Sequence, residues 1–110
     1  MAEVPELTPT QFCARWQQIA QQAVVLLDVR EREELALAKL DEAIHIPMSE
    51  IPGRVKELDP AKPLVIMCHS GGRSRRVAQY LIASGFEEVY NLAGGIDAWS
   101  REVDAKIPRY

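Results

Sequence analysis

Val65-Ile66-Met67-Cys68-His69-Ser70-Gly71-Gly72-Arg73-Ser74 is the stretch that decides how this chain is read. An apolar run over residues 64–67 has the character of a buried strand, and it stops at a cysteine. Two glycines, an arginine and a serine follow, and a helical pattern then begins. Val77, Ala78, Leu81 and Ile82 give that pattern an apolar stripe over residues 74–84, and Gly85 fits the C-terminal cap. The thiol of Cys68 therefore stands at the end of a strand and faces the start of a helix. A helix start offers unpaired N–H groups and a partial positive charge. Gly71 and Gly72 let the backbone approach the sulfur closely, and Arg73 adds a fixed cation. All of these favour thiolate over thiol and predict a cysteine pKa below its free value.

The flanking sequence alternates strand and helix. Thr8, Pro9 and Gln11 spell a helix start with a capping box, followed by an apolar stripe of Phe12, Trp16, Ile19 and Ala20. Residues 23–29 are almost continuously apolar, as in a strand covered on both faces. Residues 31–40 read as a short charged helix or helical turn, 43–46 as a brief strand stopped by Pro47, and 49–58 as a weaker helix interrupted by Pro52 and Gly53. Residues 59–63 form a loop, 88–92 a last strand, and Gly94-Gly95 open a short helix through Trp99. Residues 103–110 read as a tail or an edge element. The pattern predicts an α/β fold, one domain over residues 1–110, with a parallel sheet and helices on both faces. In such sheets ligands bind beyond the carboxyl ends of the strands, where both Cys68 and Asp28 fall.

Composition narrows the function classes. The chain has 110 residues, 47% hydrophobic and 26% charged, which suits one globular domain with a real core. A formal net charge of -3 gives no reason to expect nucleic acid or an anionic membrane as partner. No apolar run has the length of a membrane span, and residues 1–6 lack the layout of a signal peptide. The two cysteines, Cys13 and Cys68, read as reduced thiols in a cytoplasmic setting. There is no CxxC pair or His/Cys/carboxylate cluster, which argues against a structural zinc site, and nothing in the sequence implies a metal or an organic cofactor.

Arg73, Arg75 and Arg76 crowd the start of the helix, where cations oppose its dipole at a cost of roughly 0.3–1 kcal/mol each when exposed. The conflict is resolved if an anion sits before the helix. Arg75 and Arg76 fit a solvated face equally well. Cys13, beside the first apolar stripe, reads as packing. His69 could donate to an anionic substrate or face solvent, and a Cys68–His69 nucleophile–base pair is a weak alternative. His45 reads as structural and Trp99 as a core anchor.

Four blocks together resemble a single-domain rhodanese, a sulfurtransferase. They are Leu26-Leu27-Asp28-Val29-Arg30-Glu31, the loop Cys68-His69-Ser70-Gly71-Gly72-Arg73-Ser74, the segment from Gly85 to Leu92, and Gly94-Gly95-Ile96-Asp97-Ala98-Trp99. One block departs: the family usually carries Gly-His-Ile-Pro-Gly-Ala where this chain has Ala38-Lys39-Leu40-Asp41-Glu42-Ala43. The resemblance implies a five-stranded, mostly parallel sheet. It also implies a catalytic Cys68 that cycles through a persulfide, with His69, Ser70, Gly71, Gly72, Arg73 and Ser74 as the substrate-binding loop. Asp28 and Arg30 are assigned to support of the site or the fold. Thiosulfate or a persulfide would be the donor, and cyanide, a thiol or a protein cysteine the acceptor. Cysteine phosphatases place five residues between cysteine and arginine, whereas Cys68 and Arg73 are separated by four. The tighter loop fits a sulfur atom better than a phosphate. A cysteine phosphatase and a noncatalytic rhodanese-like binding or regulatory module are the alternatives.

Overall fold

Strand parity decides which way the reactive side chain points. In a strand, alternate residues face opposite sides of the sheet. Leu64 and Ile66 of β4 (Leu64–Met67) pack with Val77, Ala78 and Leu81 of α4 (Gly72–Ala83), and Cys68 continues that series. Val65 and Met67 pack on the other face with Phe12 of α1 (Pro9–Arg15) and with Ile96 and Trp99 of α5 (Gly95–Glu102). The cysteine is thus delivered beneath the start of α4. The computed structural model describes residues 3–16 and 24–110. Ile19, Ala20 and Ala23, which the sequence reading includes in a helix and a strand, lie outside the described residues.

The sheet has five parallel strands in the order β1-β5-β4-β2-β3. Here β1 is Glu6–Leu7, β2 is Val25–Asp28, β3 is Ile44–His45 and β5 is Val89–Leu92. From β2 the chain passes through α2 (Arg32–Leu35) to the edge strand β3, and from β4 it passes through α4 towards the opposite edge. The carboxyl ends of β2 and β4 flank the point where these connections diverge, the usual location of a ligand crevice. Every pairing is parallel, so the sheet is wholly parallel rather than mostly so. Among the described residues, no helix is long and apolar enough to cross a membrane.

The capping box of α1 is formed as the sequence predicts, with Gln11 N donating to Thr8 Oγ1 at 3.1 Å and Thr8 N donating to Gln11 Oε1 at 2.9 Å. Other boundaries shift for physical reasons. The two-residue strand β1 is too short to leave a periodic signal, and it escapes the sequence reading. The stretch read as one helix over 49–58 is a 3-10 turn (Met48–Glu50), the four-residue α3 (Ile51–Arg54) and a second 3-10 turn (Val55–Glu57). Helix α4 begins two residues earlier than read, because Gly71 at φ 113° turns the chain into it. Helix α5 runs past Trp99 to Glu102.

Within residues 31–40 only Arg32–Leu35 is helical, and the cause is Arg30. Its side chain is 0% exposed. The guanidinium chelates Asp28, with Nη2 to Oδ2 at 2.7 Å and Nε to Oδ1 at 3.0 Å. It also donates to Ala38 O at 2.8 Å and to Glu34 O at 3.4 Å. A buried guanidinium needs acceptors for all five N–H groups. Main-chain carbonyls of 34 and 38 supply two of them, so the chain leaves the helix to bring Ala38 round. The atypical 38–43 segment is then closed by a turn, with Ala43 N donating to Leu40 O at 3.1 Å. His45 Nε2 lies 2.6 Å from Arg30 O, consistent with its structural assignment.

Replacing Arg30 strands a buried Asp28 carboxylate. Arg30→Leu is expected to lower stability by about 3–5 kcal/mol in denaturant unfolding at neutral pH. A loss below about 1 kcal/mol, the range of exposed pairs, would show that water compensates Asp28.

Candidate active site

The sulfur of Cys68 is buried, the residue being 1% exposed, yet it is surrounded by donors. Gly71 N donates to Sγ at 3.0 Å and Ser74 Oγ lies 3.3 Å away. Burial alone would raise the thiol pKa. Hydrogen bonds from the Ser74 hydroxyl and from the N–H groups of Ser74, Gly71 and Ser70 outweigh it, and the net shift is downward. Cys13 behaves oppositely: partial burial, helped by Glu42, pushes its thiol up. Both cysteines are free.

The donors converge because the loop carbonyls are held away from the sulfur. Ile96 N donates to Cys68 O at 2.9 Å and Asp97 N to His69 O at 3.1 Å, both from the first turn of α5. This approach needs Gly95, where a Cβ would collide with the carbonyl oxygens of Cys68 and His69. The Gly94-Gly95 block and the cysteine loop are therefore one structural unit.

Asn91 braces the loop from β5. Its Nδ2 donates to Gly71 O at 3.1 Å and to Glu6 Oε2 at 3.0 Å, and its Oδ1 competes with the Cys68 sulfur for the single proton of the Ser74 hydroxyl. Neither Asn91 nor Glu6 is singled out by sequence. The available signal was a polar residue within the apolar strand run 89–92.

Arg73 differs from expectation. It lies inside α4 rather than in the loop, and its guanidinium is turned to Glu34 of α2, with Nη1 to Oε2 at 2.6 Å and Nη2 to Oε1 at 2.9 Å. Its charge is shared with a carboxylate, and the donors around the sulfur are main-chain amides and a hydroxyl. Arg75 and Arg76 are exposed. Arg75 lines an open cavity of about 370 Å³ with Glu6, Ser70, Gly71, Gly72 and Asn91.

His69 makes no hydrogen bond to Cys68 among the described contacts, so the Cys–His pair is not formed. Its ring stacks on Tyr110, with centroids 4.0 Å apart and planes 9° from parallel. Asp28 and Arg30 form the buried pair behind β2 and do not reach the sulfur. Trp99 packs against Phe12 at 5.7 Å between centroids, as a core anchor should. Among the described residues, no group of three or more His, Cys, Asp or Glu is placed to hold a metal ion.

Comparison with known proteins agrees with this geometry. The model of the rhodanese-like domain matches residues 15–102. YtwF of Bacillus subtilis, named as a sulfurtransferase, is 42% identical over 87 residues, covering 79% of this chain and 84% of that protein. A thiosulfate sulfurtransferase, GlpE of Coxiella burnetii, is 32% identical over 84 residues, covering 76% of this chain and 78% of that protein. A rhodanese-like domain protein of Staphylococcus aureus is similar in structure, with a TM-score of 0.80 at 28% identity, over 97% of this chain and 99% of that one.

The pair between α2 and α4 has a pH signature. Hydrogen bonds from Arg73, opposed by burial and assisted by Glu31 N–H and the Tyr110 hydroxyl, hold Glu34 down at about 2. An unfolded chain has its Glu near 4.3 on the order of the peptide value. The charged pair thus contributes fully above that value, and its contribution is lost as pH falls through about 2. Glu34→Gln is expected to cost about 1 kcal/mol at neutral pH, discounted for partial exposure. In urea unfolding the gap should narrow as the medium is acidified and close below about pH 2. A gap that stays constant with pH would mean that shape, not charge, holds the two helices.

Proposed function

The chain belongs to the rhodanese-like family, and from that premise we propose that it moves a sulfane sulfur from thiosulfate or a persulfide donor to a thiophilic acceptor through a persulfide on Cys68. The observation that carries this reading is the small cradle of donors around one buried sulfur, with Gly71 N at 3.0 Å and Ser74 Oγ at 3.3 Å.

The Cys68 thiolate attacks the outer sulfur of thiosulfate. A Cys68 S–S bond forms, the S–S bond of thiosulfate breaks, and sulfite leaves with the bonding pair. The outer sulfur of the persulfide carries the negative charge, and the N–H groups of residues 70–74 and the positive end of α4 stabilise it. An acceptor such as cyanide then attacks that outer sulfur and leaves as thiocyanate, returning the thiolate. In the cell a thiol takes that role. With a persulfide donor the leaving group is the donor's thiolate. The scheme is a double displacement, so ping-pong kinetics are expected.

Residues 70–74 each have a part in this reading. Gly71 donates to the sulfur and turns the chain into α4. Ser74 supplies the hydroxyl, and Ser70 and Gly72 line the approach with exposed main chain. Arg73, through Glu34, holds α4 in place behind the loop. The four-residue gap between Cys68 and Arg73 supports sulfur over phosphate, since a five-residue gap ends on Ser74, which cannot clamp a phosphate as an arginine does. Reduced thiols at both cysteines are consistent with a cytoplasmic setting.

Incubation with thiosulfate followed by intact-mass measurement should show a gain of one sulfur atom that cyanide removes, and Cys68→Ser should show none. Absence of the adduct and of thiocyanate, or hydrolysis of an aryl phosphate at Cys68, would overturn the reading.

A further inference from the structure

We propose that Tyr110 is a specificity-determining residue that walls one side of the Cys68 loop and restricts its sulfur donors and acceptors to compact small molecules. The inference rests on the sulfur-transfer reading above and narrows its substrate class.

The sequence gives residues 103–110 no role, but the structure brings them back to the site. Helix α5 starts against the loop and runs away from it. The chain then turns over 104–107, with Ile107 N donating to Asp104 O at 3.1 Å, and returns along the same helix. Ser100 Oγ donates to Ile107 O on the way. Arg109 Nε meets Asp97 Oδ1 at 2.8 Å, in the first turn of α5, which fixes the return to the loop end.

Tyr110 is then held on three sides. Its ring lies flat on His69 at 4.0 Å, the residue next to Cys68. Its hydroxyl donates to Glu34 Oε1 at 2.9 Å and accepts from Arg30 Nη1 at 2.9 Å. Both partners are themselves fixed, Glu34 by Arg73 and Arg30 by Asp28. A side chain with both hydroxyl bonds satisfied and its ring stacked is a rigid wall rather than a loose flap. The opposite side of the loop is open, where Arg75, Ser70 and Gly72 border the cavity. Approach to Cys68 is therefore lopsided. A small sulfur anion meets open space at the loop beside Arg75, whereas a cysteine carried on a broad protein surface meets Tyr110 and His69.

The match to the family model ends at residue 102, and Tyr110 lies beyond it.

The test compares wild type, Tyr110→Ala and Tyr110→Phe by alkylation at Cys68 with iodoacetamide and with a bulky fluorescein maleimide, resolved from Cys13 by peptide mass. Tyr110→Ala should raise the ratio of bulky to small rates by about tenfold or more, in the range that shape selection gives. Tyr110→Phe keeps the ring and should fall between. The same ordering is expected when the persulfide is offered cyanide or a small protein bearing one exposed thiol. Circular dichroism of each variant reports the fold. An unchanged ratio in both variants, with the fold intact, would overturn the proposal. Alkylation does not require sulfur transfer, so the two readings fail separately. A shifted ratio in a protein that forms no persulfide supports the wall and contradicts sulfur transfer. A normal persulfide with unshifted ratios does the reverse.

Discussion

Main-chain N–H groups can converge on one buried sulfur only if the matching carbonyls are pulled the other way, and this constraint organises the site. Each peptide unit in the loop that turns its N–H inward turns a C=O outward, and a buried C=O without a donor is costly. Helix α5 supplies the donors: its first-turn amides, from Ile96 and Asp97, take the carbonyls of Cys68 and His69. Two helix starts therefore meet at one loop. The start of α4 lies over the sulfur, and the start of α5 holds the loop from behind. Gly95 is where the two backbones touch, and Gly71, at φ 113°, is where the loop enters α4.

Ionised side chains serve this arrangement from a distance. Arg30 and Asp28 form a buried pair at the end of β2, and Glu34 and Arg73 form a half-buried pair between α2 and α4. The Tyr110 hydroxyl joins the two. None of these charges touches the sulfur, and the shift of the thiol comes from a hydroxyl and amides. The cation at Arg73, in the first turn of α4, is neutralised from the side by Glu34.

What was legible in the sequence was local. Residues 64–67 are apolar on both faces, and the strand has those bounds. The capping box around Thr8 and the glycine at 85 follow from side-chain and backbone chemistry within a few residues. The position of Cys68 at a strand end before a helix was equally plain. What sequence could not show depends on contacts far apart in the chain. Arg73 reads as a free cation until α2 brings Glu34 to it across 39 residues. Asn91 and Glu6 meet only because β1 adds beside β5. Residues 103–110 have no periodic pattern, and their course is set by Asp97, Ser100 and His69. The 31–40 segment is shortened by the acceptors that a buried guanidinium demands.

The central claim is that this loop stabilises a thiolate in a buried position. It is tested most directly by the pH dependence of iodoacetamide alkylation, followed separately at the two cysteines. Cys68 should show a midpoint below that of a free thiol, roughly 8.5, and Cys13 one above it. A Cys68 midpoint at or above the free value would contradict the claim, because burial would then outweigh the converging donors.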